Sequence, residues 1–156
     1  MTNQITPCLW FDNQAEEAAN FYTTVFKNSK IEHISYYGKE GFEIHGQPEG
    51  TVLTVDFQIN GQFFVALNGG PVFKFNEAVS FQVFCENQEE IDYYWDKFVA
   101  EGEEGECGWL KDKFGVSWQI VPSILPELLK DPAKSEKVTA AFLQMKKFEI
   151  AKLLDV

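Results

Sequence analysis

Residues 10–14 read Trp-Phe-Asp-Asn-Gln, and residues 84–88 read Phe-Cys-Glu-Asn-Gln. Each stretch runs from an apolar strand end through an acidic position to an Asn able to cap a helix. With one residue of slip, Glu16-Glu17 then lies over Glu89-Glu90, and Phe21-Tyr22 over Tyr94-Trp95. Strand end, acidic turn, cap, acidic first turn and aromatic pair recur in the same order, at an offset of 74 residues (10 to 84). Self-similarity at a fixed spacing marks a repeated structural unit, and it decides the fold before any single element does.

The first copy extends outward from that anchor. Ile5 to Phe11 is strand-like, with Pro7 near its start, where a missing N–H does least harm. Asn13 with Glu16 three residues on forms a capping-box arrangement. Ala15, Ala18, Phe21, Tyr22, Val25 and Phe26 recur at helical spacing, which predicts an amphipathic helix over 14–26. Ile31 to Tyr37 is strand-like, and Gly38 to Gly50 is a loop rich in glycine and charge. Thr51 to Ile59 alternates, with Val52, Thr54, Asp56 and Gln58 on one face and Val55, Phe57 and Ile59 on the other. Asn60-Gly61 is a two-residue hairpin signal, and Gln62 to Leu67 is the returning strand. Gly69-Gly70-Pro71 closes the module.

The second copy follows the same plan. Val79 to Cys85 is a strand, and Asn87 to Ala100 a helix with Ile91, Tyr94, Trp95, Phe98 and Val99 on its apolar face. Strands are expected at about Glu103 to Trp109, Leu110 to Lys113 and Val116 to Val121, with Phe114-Gly115 as the tight connection. Beyond Val121, Pro122, Pro126 and Pro132 punctuate a short helix near Leu125 to Lys130. Ser135 is placed to cap a last helix whose Val138, Ala141, Phe142 and Met145 share one side. That apolar side must cover a sheet edge, a cavity mouth or another subunit. The reading is an α+β chain, a single domain over 1–156. It has module one at about 1–70, module two at about 76–121 and a helical tail over 122–156.

Composition narrows the function classes. The chain has 156 residues, a size that buries roughly 68–70% of its unfolded surface and needs no disulfide or metal to fold. Its net charge of −11 repels a phosphate backbone, and no basic cluster offsets it, so nucleic-acid binding is not expected. No apolar run approaches the ~20 residues that span a bilayer, and no basic region leads into an apolar one at the N-terminus. Cys8, Cys85 and Cys107 are an odd count without C-x-x-C spacing, which suits reduced thiols in a cytoplasmic protein. The acidic run Glu101, Glu103, Glu104 and Glu106 reads as a solvated surface.

The module order, Glu-Glu-Ala-x-x-Phe-Tyr at 16–22 and the segment Asp112-Lys113-Phe114-Gly115-Val116-Ser117-Trp118-Gln119 resemble the glyoxalase/bleomycin-resistance/dioxygenase (vicinal oxygen chelate) superfamily. More narrowly, they resemble its PhnB-like group, which carries the label 3-demethylubiquinone-9 3-methyltransferase domain. Gly69-Gly70-Pro71, Ser80 and the stretch from Met145 to Ala151 extend the resemblance along the chain. It implies two βαβββ modules forming a cupped eight-stranded mixed sheet, with C-terminal helices, a homodimer and a small-molecule pocket. Metal-using relatives place ligands on the first and last strands of each module. The corresponding positions here are most nearly Thr6, Ala66, Ser80 and Gln119. Alanine cannot ligate, and hydroxyls and an amide are weak neutral donors, so no divalent metal or other cofactor is expected. His33 on the second strand and His45 in the following loop do not fill the gap.

Alternation puts Thr6, Cys8 and Trp10 on one face of the first strand, and Ser80, Gln82 and Phe84 on the matching face of the fifth. Phe64, Ala66, Asn68, Ser117 and Gln119 are expected to point the same way, completing an apolar pocket with a few neutral hydrogen-bonding groups. The same side chains could instead simply fill a core. One functional reading is a metal-independent protein binding a small apolar or aromatic molecule. The alternative is a divergent enzyme of the superfamily, a lyase, isomerase, oxygenase or methyltransferase-labelled enzyme, with Gln119, Ser80, Cys8 or Glu43 as its catalytic candidates. A third is a dimer with a vestigial cup. The methyltransferase label has no support in the residues, since no glycine-rich turn joins a strand to a helix.

Overall fold

The computed structural model describes residues 3–156. They form two compact units, the first ending at Lys74 and the second spanning Phe75–Val156. Each contains one βαβββ module, so the α+β fold class and the duplication hold.

The first unit runs β1 (Cys8–Phe11), α1 (Ala15–Val25), β2 (Ser29–Tyr36), α2 (Phe42–His45), β3 (Val52–Ile59) and β4 (Gln62–Asn68). Its four strands lie in the order β1-β4-β3-β2, with β1 parallel to β4 and the other pairs antiparallel. Asn60 and Gly61 both have positive φ, 51° and 84°, the left-handed pair that a two-residue hairpin turn requires. Helix α1 covers one face of the sheet. Its Tyr22 is fully buried and stacks on Phe57, which stacks on Phe64 at 5.3 Å between ring centroids.

The second unit runs β5 (Ser80–Cys85), α3 (Gln88–Val99), β6 (Glu103–Glu104), β7 (Trp109–Lys111) and β8 (Ser117–Pro122). Three short helices follow, α4 (Leu125–Lys130), α5 (Ser135–Phe142) and α6 (Ile150–Leu154). The sheet order β5-β8-β7-β6 repeats that of the first unit. Phe98 of α3 stacks on Trp118 of β8 at 4.8 Å, and Trp118 also meets Phe81 at 5.4 Å. The eight expected strands are therefore present as two sheets of four.

The two modules cap their helices differently, and one expectation is corrected here. In α3 the Asn87 side chain accepts Glu90 N–H at 2.9 Å, while Glu90 Oε2 accepts Glu86 N–H at 2.8 Å. That is a side-chain cap with a return bond one residue before the N-cap, a close variant of the capping box. The same Asn-x-x-Glu spacing at Asn13 and Glu16 does not cap α1, whose N-cap is Gln14 with no side-chain bond. Asn68, at the end of β4, instead reaches Ala15 N–H with its Oδ1 at 2.8 Å. Strand pairing explains the asymmetry. Asn68 lies beside Phe11 as Pro122 lies beside Cys85, and a proline ring has no polar atom to lend a helix N-terminus.

Other boundaries shift for local reasons. Regular strand begins at Cys8 rather than Ile5, although Pro7 O already accepts Val65 N–H at 2.9 Å. The loop after β2 contains the four-residue α2, flanked by Gly41 and Gly46 in left-handed conformations. The long strand expected at Glu103 to Trp109 is only Glu103–Glu104. Cys107 and Gly108 have φ of 55° and 81°, which breaks the extended run. Their N–H groups go to Met145 O at 2.8 Å and Lys146 O at 2.7 Å in the tail.

The tail thus covers part of its own unit. Phe148 is 2% exposed and packs where Gly108 leaves room, since a Cβ there would stand 2.3 Å from the Phe148 ring. Gln88 of α3 donates to Phe148 O at 2.9 Å and accepts Ile150 N–H at 2.8 Å. Lys147 pairs with Asp92 at 2.8 Å. Ser135 opens α5 without capping it; the backbone carbonyl of Asp131 accepts the Lys134 and Ser135 N–H groups instead. Helix α5 ends at Phe142, so Met145 belongs to the segment that meets Cys107 rather than to the helix.

Asp112 organises the turn before β8. It is 3% exposed, and its Oδ1 accepts Phe114 N–H at 2.9 Å and Val116 N–H at 3.0 Å. Its Oδ2 accepts the Trp118 indole N–H at 2.9 Å. Gly115 sits in this turn at φ 89°. No helix among the described residues is long and apolar enough to cross a membrane.

Candidate functional site

Each sheet has one face under its helix and one face turned away from it, and the site candidates divide between the two. In the second sheet Phe81, Trp118 and Leu110 lie on the helix side. Alternation then puts Ser80, Gln82 and Phe84 of β5, with Ser117 and Gln119 of β8, on the other. These five expected residues do share one open face. Gln119 Nε2 donates to Ser80 Oγ at 2.8 Å, and Gln119 Oε1 accepts from Gln82 Nε2 at 3.3 Å. Phe84 is 52% exposed beyond them, a large aromatic left in the open. Trp109, paired with Gln119, and Lys111, paired with Ser117, belong to the same face. The sequence reading missed both because it ended one strand at Trp109 and began the next at Leu110, whereas Trp109–Lys111 is one strand.

In the first sheet the expectation is half right. Cys8 and Trp10 lie on the open face, since their neighbours Leu9 and Phe11 are buried under α1. Thr6 is exposed ahead of β1. Phe64, Ala66 and Asn68 are not on that face. Phe64 pairs with Phe57 and stacks on it, Ala66 is fully buried opposite Val55, and Asn68 is tied to α1. The register was one residue out, which moves every side chain of a strand to the other face. The open face of β4 carries Phe63, Val65 and Leu67 instead. A signal for this was present: a two-residue turn at Asn60-Gly61 makes Ile59 and Gln62 partners, so Phe64 must share the face of Phe57.

Several candidates are occupied by structural work. The Trp10 indole N–H donates to Gly70 O at 2.9 Å, and its ring lies over Gly69 and edge-on to Phe73 at 4.9 Å. Asn68 Nδ2 also donates to Val52 O at 3.1 Å, and its backbone carbonyl accepts the Tyr37 hydroxyl. Partial burial pushes the Tyr37 hydroxyl above its ordinary pKa. His45 Nδ1 accepts Gln47 N–H at 2.9 Å, and its Nε2 lies 3.1 Å from Glu40 O, so both ring nitrogens hold their own loop. Glu43 is exposed on α2 beside it.

The donors present decide the catalytic and metal chemistries. The Cys8 thiol is raised above its ordinary pKa by partial burial and then by the Asp56 carboxylate, the opposite of an activated nucleophile. Burial pushes Cys85 up to about 12. On the second sheet Ser80, Gln82, Ser117 and Gln119 offer two amides and two hydroxyls, and the Glu103 carboxylate at the far edge of the sheet lies beside the Lys111 ammonium. On the first, Cys8, Val65, Asp56 and His33 form one row across the strands, and Val65 stands between the thiol and the carboxylate. Among the described residues no group of three or more His, Cys, Asp and Glu side chains gathers as a metal's ligands would. The residues at the superfamily's ligand positions do not fit a divalent ion.

The family model for 3-demethylubiquinone-9 3-methyltransferase matches residues 3–121. Among solved structures, the PhnB protein of Bacillus cereus is 39% identical, covering 77% of this chain and 99% of its own, with a TM-score of 0.68. Protein PA1353 of Pseudomonas aeruginosa is 16% identical over 78% of this chain and 98% of its own, with a TM-score of 0.62. The fosfomycin resistance protein FosX of Listeria monocytogenes, solved with Mn(II) and sulfate, is 15% identical over 83% of this chain and 97% of its own, at a TM-score of 0.54. The two more distant likenesses speak for the fold alone. No curated protein matches. A repeated βαβββ plan, the turn built around Asp112 and a family match through β8 lead to one conclusion: the chain belongs to the PhnB-like 3-demethylubiquinone-9 3-methyltransferase family, within the vicinal oxygen chelate superfamily.

Proposed function

We propose that the chain is a metal-independent binding protein for a small apolar or aromatic molecule, held on the open sheet face. The observation that carries this reading is the hydrogen-bonded trio Ser80, Gln119 and Gln82 beside the exposed Phe84. Neutral donors and acceptors among aromatic side chains suit an uncharged ring with a polar substituent, at little desolvation cost. An amide cannot take or give a proton at neutral pH, so the trio supports binding over general acid–base turnover. The divergent-enzyme alternative would rest on Ser80, Cys8 or Glu43, none of which has a base set beside it in the bonds described above. Self-association as a homodimer follows from the superfamily resemblance. Three free cysteines agree with a reducing, cytoplasmic setting.

The test is a thermal-shift screen with small aromatic compounds on the parent chain and on Gln119→Ala. Saturable stabilisation of the parent that weakens in the variant supports the reading. No shift with any compound class overturns it. Added Mn(II) is expected to leave both the melting temperature and the ligand affinity unchanged, and a metal-dependent affinity would refute metal independence.

A further inference from the structure

The open face of the second sheet is graded along its strands. One cross-strand row reads Ser80, Ser117, Lys111, Glu103; the next reads Gln82, Gln119, Trp109; the last pairs Phe84 with Val121. The polarity falls from charged groups through amides to hydrocarbon. At the charged end a cavity of about 200 Å³ is lined by Ser117, Lys111, Glu103, Glu77 and Trp109, among others.

Two independent features of this cavity call for a ligand. Ser117 is 1% exposed, and its buried hydroxyl oxygen has no hydrogen-bond partner among the described residues. A buried polar atom without a partner is a standing cost that a bound donor would remove. The second feature is the charge balance. Lys111 is ion-paired with Glu77, and the Glu103 carboxylate lies across β6–β7 from the same lysine. Hydrogen bonding and charge from Glu77, then the charge of Glu103, hold the Lys111 ammonium above its ordinary pKa. Two carboxylates therefore share one ammonium.

We infer that this cavity takes a small organic ammonium ion carried on a flat apolar body. The ammonium donates to Ser117 Oγ and sets its charge against Glu103, while the body lies along Trp109 toward the amide row. An anion would meet the carboxylates of Glu77, Glu103 and Glu104 around one lysine already paired. A neutral alcohol could satisfy Ser117 but would leave the excess carboxylate charge in place. The inference rests on the binding reading above and specifies the ligand class for that same face.

Benzylamine, benzyl alcohol and benzoate share a ring and differ in charge, so titration calorimetry of the full chain with each separates the possibilities. Benzylamine is expected to bind most tightly, and its affinity to fall about two- to fivefold in Glu103→Gln, the range of a partly exposed ion pair. Ser117→Ala should melt no lower than the parent without ligand, because its hydroxyl has no bond to lose, yet should bind benzylamine more weakly. Glu103 is exposed, so its variant keeps the proposal falsifiable should the Ser117 variant fold poorly. Equal affinity for benzoate, or unchanged benzylamine affinity in Glu103→Gln, overturns the ammonium assignment alone. Absence of binding by all three probes overturns it together with the binding reading.

Discussion

Asn68, the last residue of β4, accepts the backbone N–H of Ala15 with its side-chain oxygen at 2.8 Å, and so holds the first turn of α1 from outside the helix. Its amide nitrogen meanwhile ties β4 to Val52 O at the start of β3. The side chain is 7% exposed and satisfied on both of its polar atoms, as a piece of scaffold would be. Asn68→Ala is expected to destabilise the chain by about 2 kcal/mol, combining a lost cap with a carbonyl left unpaired. Urea denaturation followed by circular dichroism measures it, and a loss below about 0.5 kcal/mol would show that Asn68 is not holding α1.

Gly69 is expected to tolerate no side chain. A Cβ there would stand 2.2 Å from the Trp10 indole, whose N–H is anchored to Gly70 O. Gly69→Ala must displace that ring, at a cost of about 1–3 kcal/mol typical of overpacking. The near-ultraviolet circular dichroism of the variant should change with its stability. A spectrum and stability matching the parent would mean the ring moves freely.

The Lys147–Asp92 pair that pins the tail to α3 should act in a defined pH window. Hydrogen bonds from Lys147 and then Gln88 hold the Asp92 carboxyl below its ordinary 3.8, so its contribution is present above that pH and is lost as acid protonates it. The Asp92 hydrogen bond holds Lys147 above its ordinary 10.5, so the lysine's contribution is present below that pH and is lost in stronger base. Both side chains are partly exposed, which limits the pair to about 1 kcal/mol or less. Lys147→Met should therefore be slightly less stable than the parent at pH 7 and indistinguishable from it at pH 2. A deficit that persists in acid would place the effect in packing instead.

Cys8 is exposed but its thiol is held in the protonated form by partial burial and by Asp56. In a Cys107→Ser background, iodoacetamide should modify it more slowly at pH 8 than a small-molecule thiol, because thiolate is the reactive species. Asp56→Asn removes the negative charge and should quicken the reaction. No change in that variant would show that Asp56 does not reach the thiol.

The fold was legible because its strongest signal, the repeat, survives uncertainty in any one element. Asn87 caps α3 as its place before the helix suggests, and Ser80, Gln82, Phe84, Ser117 and Gln119 reach a common face. What escaped was long-range. Asn13 and Glu16 carry the same local pattern, yet Asn68, 53 positions beyond Ala15, takes the cap. Phe64, Ala66 and Asn68 were assigned by counting along one strand, whereas register is fixed by the turn between two strands. The break between β6 and β7 comes with Cys107 and Gly108 leaving the extended conformation and with tail carbonyls that receive their N–H groups. Nothing in the stretch itself announces those partners.

The carboxylate of Asp112 spends its oxygens on the turn and on an indole buried under α3, the side of the sheet away from Ser80 and Gln119. Within the segment by which the family is most readily recognised, Asp112 and Trp118 thus form a joint in the frame, while Ser117 and Gln119 face the other way. The joint can stay constant while the opposite face is refitted for a new guest, because the Asp112 carboxylate bonds to neither of those two side chains. Shared signature and divergent ligand are therefore compatible within one fold, and a reaction name attached to the signature travels further than the chemistry it describes.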